Sequence, residues 1–156
     1  MTDRFVVVPA AYVFFLRPAG AAAAEQEVLL QLRKNTGYMD DHWAAAAAGH
    51  VEKGESVIEA AAREAAEEVD VRDVALRPLC AMHRTGPDGA AIDERVDYFF
   101  AAESWNGEPR VVEPDKAADL GWFALDALPD PVVPHELVVL EALRAGAVPP
   151  ILTFGF

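Results

Sequence analysis

Glu64, Glu67 and Glu68 stand at positions i, i+3 and i+4 within Gly49 to Val71, GHVEKGESVIEAAAREAAEEVDV, a 23-residue segment that carries seven acidic residues. Side chains three and four apart on a helix are neighbours, and like charges at i, i+4 repel. The spacing therefore sets three carboxylates on one face and weakens the helix until something neutralises them. A hard divalent cation is the natural partner. Mg²⁺ takes oxygen ligands, keeps several waters, and is usually held by one or two carboxylates together with substrate phosphates.

The helix that must carry these groups is well specified. Ser56 followed three residues later by Glu59 forms the capping-box pattern, which satisfies the first free amides. Ile58, Ala61, Ala62, Ala65 and Val69 recur at helical spacing away from the carboxylates and predict a face to bury. One face packs and the other presents acid.

This order of residues resembles the Nudix box, whose pattern is G, five residues, E, seven residues, then R-E-U-x-E-E-x-G-U with U a bulky aliphatic. Gly49, Glu55, Arg63, Glu64, Glu67, Glu68 and Val71 match it. Ala65 is smaller than the usual aliphatic and Asp70 replaces the closing glycine, a position suited to a left-handed residue that Asp also adopts. An arbitrary charge run is more often a solvated face, but the single Arg63 and the glycines at fixed offsets argue against that here. The resemblance implies an α/β/α sandwich with a mixed sheet between helices. It also implies hydrolysis of a diphosphate linkage, in a nucleoside diphosphate derivative or a nucleoside triphosphate, with Mg²⁺ or Mn²⁺. By resemblance the metal ligands are the Ala48 carbonyl and the carboxylates of Glu64, Glu67 and Glu68. Glu64 is the first choice for handling the attacking water, and Glu55 pairs with Arg63 to hold loop to helix. Two alternatives stay open: a nucleotide-binding sensor without turnover, expected to have lost a box carboxylate, and an isoprenyl-diphosphate isomerase, which calls for a reactive cysteine.

The whole chain is compatible with this. At 156 residues and 53% hydrophobic content, residues 1–156 are expected to form one domain with an ample core. Its longest apolar run, Val6 to Leu16, is interrupted by Pro9 and is too short to span a bilayer, and Met1-Thr2-Asp3-Arg4 does not read as a signal peptide, so a cytoplasmic protein is expected. Cys80 is the single cysteine and is expected to be a small buried hydrophobe. Thirteen basic against 26 acidic residues give a net charge of −13, which opposes a nucleic acid polymer. A phosphorylated small molecule is the expected partner, with no membrane, and a homodimer is left open. Metal ions and a few placed Arg or Lys side chains must then offset the repulsion of an anionic substrate.

Arg4 to Leu16 and Glu27 to Arg33 read as a strand hairpin joined by the alanine-rich link Pro18 to Ala24. Val74 to Arg84, Arg95 to Ala101 and Leu120 to Phe123 read as further strands. His135 to Ala145, with Pro134 before it and Gly146 after it, reads as a second helix. Between the second strand and the box, the run Arg33 to Trp43 is a candidate substrate loop, with Arg33 and Tyr38 its foremost contacts. Arg95 and Lys116 are further candidates for phosphate. Glu113 and Glu94 are rival candidates for an additional acid near the metals. The four histidines, His42, His50, His83 and His135, show no metal-ligand spacing, although His50 lies in the loop that leads to the helix.

Overall fold

The computed structural model describes residues 3–22 and 25–156. Met1 and Thr2 at the start, and Ala23 and Ala24 in the alanine-rich link, lie outside the described residues. Among the described residues the order is β1 (Val8–Arg17), β2 (Glu27–Arg33), β3 (Trp43–Ala45), β4 (Ala47–His50), α1 (Val57–Val69), β5 (Leu76–Arg84), β6 (Arg95–Ala102), β7 (Ala117–Ala124), α2 (Pro134–Ala145) and β8 (Ile151–Phe154).

β1 is the axis of the architecture. It runs parallel to β6 from Val8↔Arg95 to Phe15↔Ala102, while its other edge is shared: Ala10–Val13 pair antiparallel with β4, and only Leu16 and Arg17 pair with β2. The predicted hairpin is thus closed at its base and opens to admit β4. Beyond β6 the sheet continues through antiparallel β5 to parallel β8. β2 carries β3 on one side and β7 on the other, both antiparallel. β1 begins at Val8 rather than Arg4 because no neighbouring strand accompanies residues 3–7. Phe5 and Val6 there are exposed.

Strand alternation divides the core in two. Ala10, Tyr12, Phe14 and Leu16 of β1 join Phe99 and Ala101 of β6 beneath α2, which contributes Val139, Leu140 and Leu143. Ala11, Val13 and Phe15 join Phe100 and Ala102 beneath α1. The layers are therefore helix, mixed sheet, helix. The α1 contact is built mostly of alanine: Ala60, Ala61 and Ala65 meet Ala11, Ala46, Ala47 and Ala102. Small residues on both surfaces let the helix lie close to the sheet. The buried stripe is Ala60, Ala61, Ala65 and Val69, whereas Ile58 is 59% exposed and Ala62 is also exposed. Ala61, Ala65 and Val69 of the expected face are buried and Ala60 joins them, while Ile58 and Ala62 lie at its exposed margin.

α1 starts at Ser56, whose side chain accepts from the Glu59 amide while the Glu59 side chain accepts from the Ser56 amide. It ends at Asp70 in the left-handed conformation, φ 58°, the state the replaced glycine would have taken. α2 has Pro134 in its first turn and Gly146 at φ 79° closing it. Its entry is pinned to β3, since the Trp43 amide donates to the Pro131 carbonyl and the Val133 amide to the Trp43 carbonyl. Among the described residues no helix is long and apolar enough to cross a membrane.

Ala65→Leu tests the close contact. Extra methylenes between α1 and the sheet should cost about 1–3 kcal/mol, seen as a lower denaturant midpoint with an unchanged slope.

Candidate functional site

α1 lies against β4, and this contact assembles the acidic site. The Ala48 amide donates to Glu68 Oε2 at 2.6 Å and the His50 carbonyl accepts from Arg63 Nη2 at 3.1 Å. The intervening Gly49 faces the Glu64 carboxylate so closely that a Cβ built there would collide with it. In an extended strand the N–H and C=O of one residue point to the same side. The Ala48 carbonyl therefore shares the strand edge that its amide presents to Glu68.

Arg63 is the hub. Its Nε and Nη2 donate to Glu55 at 2.7 and 3.0 Å, and its Nη1 donates to Glu64 Oε1 at 2.8 Å and to Glu67 Oε2 at 3.3 Å. The pairing of Glu55 and Arg63 is thus present as a two-pronged ion pair. Arg63 holds the Glu55 carboxyl down at about 2, with the Glu52 amide helping. Glu64 is pulled both ways: burial pushes its carboxyl up and Arg63 draws it down, with the net shift upward. Glu68 has only the Ala48 amide and more distant help. Burial pushes it up to about 8, and the nearby Glu64 charge adds to the rise.

Among the described residues, no three acidic, histidine or cysteine side chains converge into a ready-made metal cage. The donor chemistry nonetheless fits a hard cation. Glu64 and Glu68 are recessed carboxylates whose negative charge the protein under-compensates, and the missing side chain at Gly49 makes the room that the Glu64 carboxylate occupies. A divalent cation would supply the missing charge.

Two cavities border Glu68. One is lined by Gln31, Arg33, Thr36, Glu113 and Lys116, and the other by Tyr12, Tyr38, His50, Arg95, His135 and Glu136 among its walls. Arg33, Tyr38, Arg95, Lys116 and Glu113 are therefore all gathered around the box helix. Glu94 is not: it accepts from the Thr85 hydroxyl at 2.6 Å and lines neither cavity. Arg33 also has a task that the sequence did not reveal. Its Nε donates to the Tyr38 carbonyl at 2.8 Å and its Nη2 to Thr36 Oγ1 at 2.9 Å, while Asp40 accepts from the amides of Thr36 and Gly37. These bonds tie the loop around Arg33. Cys80 is buried on the far side, its thiol pushed up to about 11, as expected of a small hydrophobe.

Sequence reasoning missed Glu136, Tyr12 and His135 as cleft residues. Glu136 is buried, accepts from the Ala45 amide at 2.7 Å, and is pushed by burial up to about 7. Its signal was available: it stands three, four and seven residues before Val139, Leu140 and Leu143, an acid in an apolar stripe.

The pattern of the NUDIX domain family matches residues 8–143. NAD-capped RNA hydrolase NudC of Pseudomonas aeruginosa (strain LESB58) is 34% identical over 110 residues, 67% of this chain and 37% of that protein. The chain thus spans little more than a third of the length of the curated relatives it matches. The crystal structure of a MutT NUDIX hydrolase from Burkholderia pseudomallei is similar at 31% identity and a TM-score of 0.73, over 87% of this chain and 97% of that one. A NUDIX hydrolase from Nitrosomonas europaea, at 20% identity and a TM-score of 0.67 over 96% of this chain and 78% of that one, shares the fold.

Two outcomes check this geometry. A carboxyl held below its ordinary value of 4.5 adds stability that is complete above that pH and is lost as pH falls through about 2. Melting curves of the wild type and Glu55→Gln should therefore differ above pH 4.5 and converge toward pH 2. Gly49→Ala should keep a melting temperature close to wild type, because the end of a flexible side chain can move aside, yet lose at least tenfold in any activity that needs Glu64 in place.

Proposed function

Because the chain belongs to the Nudix hydrolase family, we propose that it uses Mg²⁺ or Mn²⁺ to cleave a diphosphate linkage in a nucleoside diphosphate derivative or a nucleoside triphosphate, with residues 1–156 acting as one domain in the cytoplasm. The observation that carries this reading is Glu68, a recessed, under-compensated carboxylate that borders cavities also lined by Arg33, Arg95 and Lys116, with Glu64 one helical turn away on the same face.

The metal would be held by Glu64, Glu67, Glu68 and the Ala48 carbonyl, and when bound it supplies charge neutralisation and polarisation of water. The chain's own groups divide the remaining work. Arg33 and Lys116 bind phosphate oxygens, Arg33 as the better bidentate partner, and Glu113 steadies Lys116, its Oε2 lying 3.5 Å from Nζ. Glu64 Oε1 is occupied by Arg63, so Oε2 is the oxygen left to accept a proton. As water forms its bond to phosphorus, that proton passes to Glu64. The bridging P–O bond breaks, and its electron pair leaves with the departing phosphate. Phosphoryl transfer rests mainly on positioning and electrostatic stabilisation, which this arrangement supplies.

The rival readings have less support. All three box carboxylates are retained, unlike in a sensor that has lost turnover. An isomerase would need Cys80 at the cleft, and it lines neither cavity beside Glu68. A polymeric substrate such as the capped RNA in the name of the Pseudomonas relative is disfavoured by the net charge of −13.

A substrate panel covering canonical and oxidised triphosphates, dinucleoside polyphosphates, nucleotide sugars and coenzymes, with phosphate release measured, tests the reading. Chelation should abolish activity and Mg²⁺ or Mn²⁺ should restore it, with Ca²⁺ restoring little. Undiminished turnover in excess chelator refutes the metal role. Glu64→Gln should lower kcat by about 10² to 10⁴ with little change in substrate affinity, the range for loss of a general base. A small rate loss with folding intact and metal saturating would move the base elsewhere, with Glu113 next to test.

A further inference from the structure

Beneath α2 lies a polar cluster that the hydrolytic reading does not use. Asp97 is fully buried and accepts from Arg84 Nε at 2.7 Å, while its other oxygen, Oδ1, has no partner. His135 Nε2 stands 3.2 Å from the Tyr12 hydroxyl and 3.8 Å from Asp97 Oδ2. Arg84 is only 6% exposed. A guanidinium carries five N–H donors in a fixed fork. Among the described residues, Nε is the only Arg84 nitrogen with a hydrogen bond, so the two terminal nitrogens keep theirs unspent.

Arg84 borders a cavity of about 250 Å³. The other walls are largely flat or apolar, with Tyr38, Met39, Pro87, Pro134 and Phe154 among them. Tyr38 and His135 also line the cavity that reaches Glu68, so the two spaces meet along one ridge. The cavity thus brings flat, apolar walls together with an arginine whose terminal donors have no protein partner among the described residues. It suits a doubly charged phosphate poorly, because Asp97 already balances Arg84 and Asp93 also lines the space.

We propose that this cavity recognises a 6-oxopurine, the terminal nitrogens of Arg84 donating to O6 and N7 of a guanine or hypoxanthine ring held between the Tyr38 and Phe154 walls. Bidentate donation from arginine to O6 and N7 is the geometry by which proteins select guanine, and adenine presents an amine donor where O6 would be. Asp97 is a positioning residue that fixes the fork through Nε. The inference deepens the reading above and rests on it: the substrate class becomes guanosine- or inosine-type diphosphate compounds, with the phosphates directed past the ridge toward Glu68.

The test is calorimetric titration of the full chain with GMP, IMP, AMP and inorganic phosphate in chelator, where no hydrolysis intervenes. GMP and IMP should bind at least about tenfold more tightly than AMP, the lower part of the discrimination expected of one bidentate pair, and phosphate should not displace them. Arg84→Lys keeps a positive charge beside Asp97 but loses the fork, so the preference should fall to near unity. In hydrolysis KM for the guanosine substrate should rise while kcat holds. Should that variant fail to fold, Phe154→Ala, which removes a wall without touching the ion pair, should weaken GMP binding several-fold. Equal affinity for GMP and AMP, or a preference that survives Arg84→Lys, overturns the proposal, and displacement of GMP by phosphate reduces the cavity to a simple anion site. Selective GMP binding without cleavage of any diphosphate sinks the hydrolase reading alone, whereas hydrolysis with equal KM for guanosine and adenosine substrates sinks this inference alone.

Discussion

Three carboxylates on one helix face can be held together only if something offsets their mutual repulsion, and in this protein one arginine does most of that. Arg63 reaches Glu55, Glu64 and Glu67 and also the His50 carbonyl, so a single guanidinium joins the loop, the helix and strand β4. It leaves Glu68 aside. That residue is recessed beside the Ala48 amide, and burial pushes its carboxyl up to about 8.

The two faces of the sheet solve different problems. Under α1 the contact is alanine against alanine, and its value is closeness: the helix lies near enough to β4 for Glu68 to reach the Ala48 amide and for Gly49 to face Glu64. A bulkier interface would lift the carboxylates off the strand edge. Under α2 the side chains are larger, and the core there accepts the buried Arg84–Asp97 pair beside His135, whose imidazole burial keeps neutral down to about pH 3. Buried ion pairs recover their desolvation cost poorly, so an internal pair with one unsatisfied oxygen is weak evidence for a role in stability alone.

The loop after β2 links both faces. Arg33 holds it from below through Thr36 and the Tyr38 carbonyl, while Asn35, Met39 and Asp41 take left-handed backbone conformations that let the chain fold tightly. Tyr38 is thereby set on the ridge between the acidic cleft and the Arg84 cavity.

Local patterns were legible in the sequence wherever one element carried them alone. The capping box at Ser56, the carboxylate spacing, the Arg63–Glu55 offset, β2 and the second helix were all readable because short-range periodicity and cap chemistry set them. β3, β4 and β8 were not, for each is three or four residues long and exists only through a partner: β4 is a strand because the opening of the β1–β2 hairpin exposes an edge for it. The same limit governed the site. The sequence by itself determined which carboxylates share a helix face. Only the tertiary structure decided that Glu113 and not Glu94 faces Glu68, that Arg33 is partly committed to its own loop, and that Arg84 and Asp97, on separate strands 13 residues apart, meet under α2. Such pairings depend on strand register and helix docking, which no local pattern encodes.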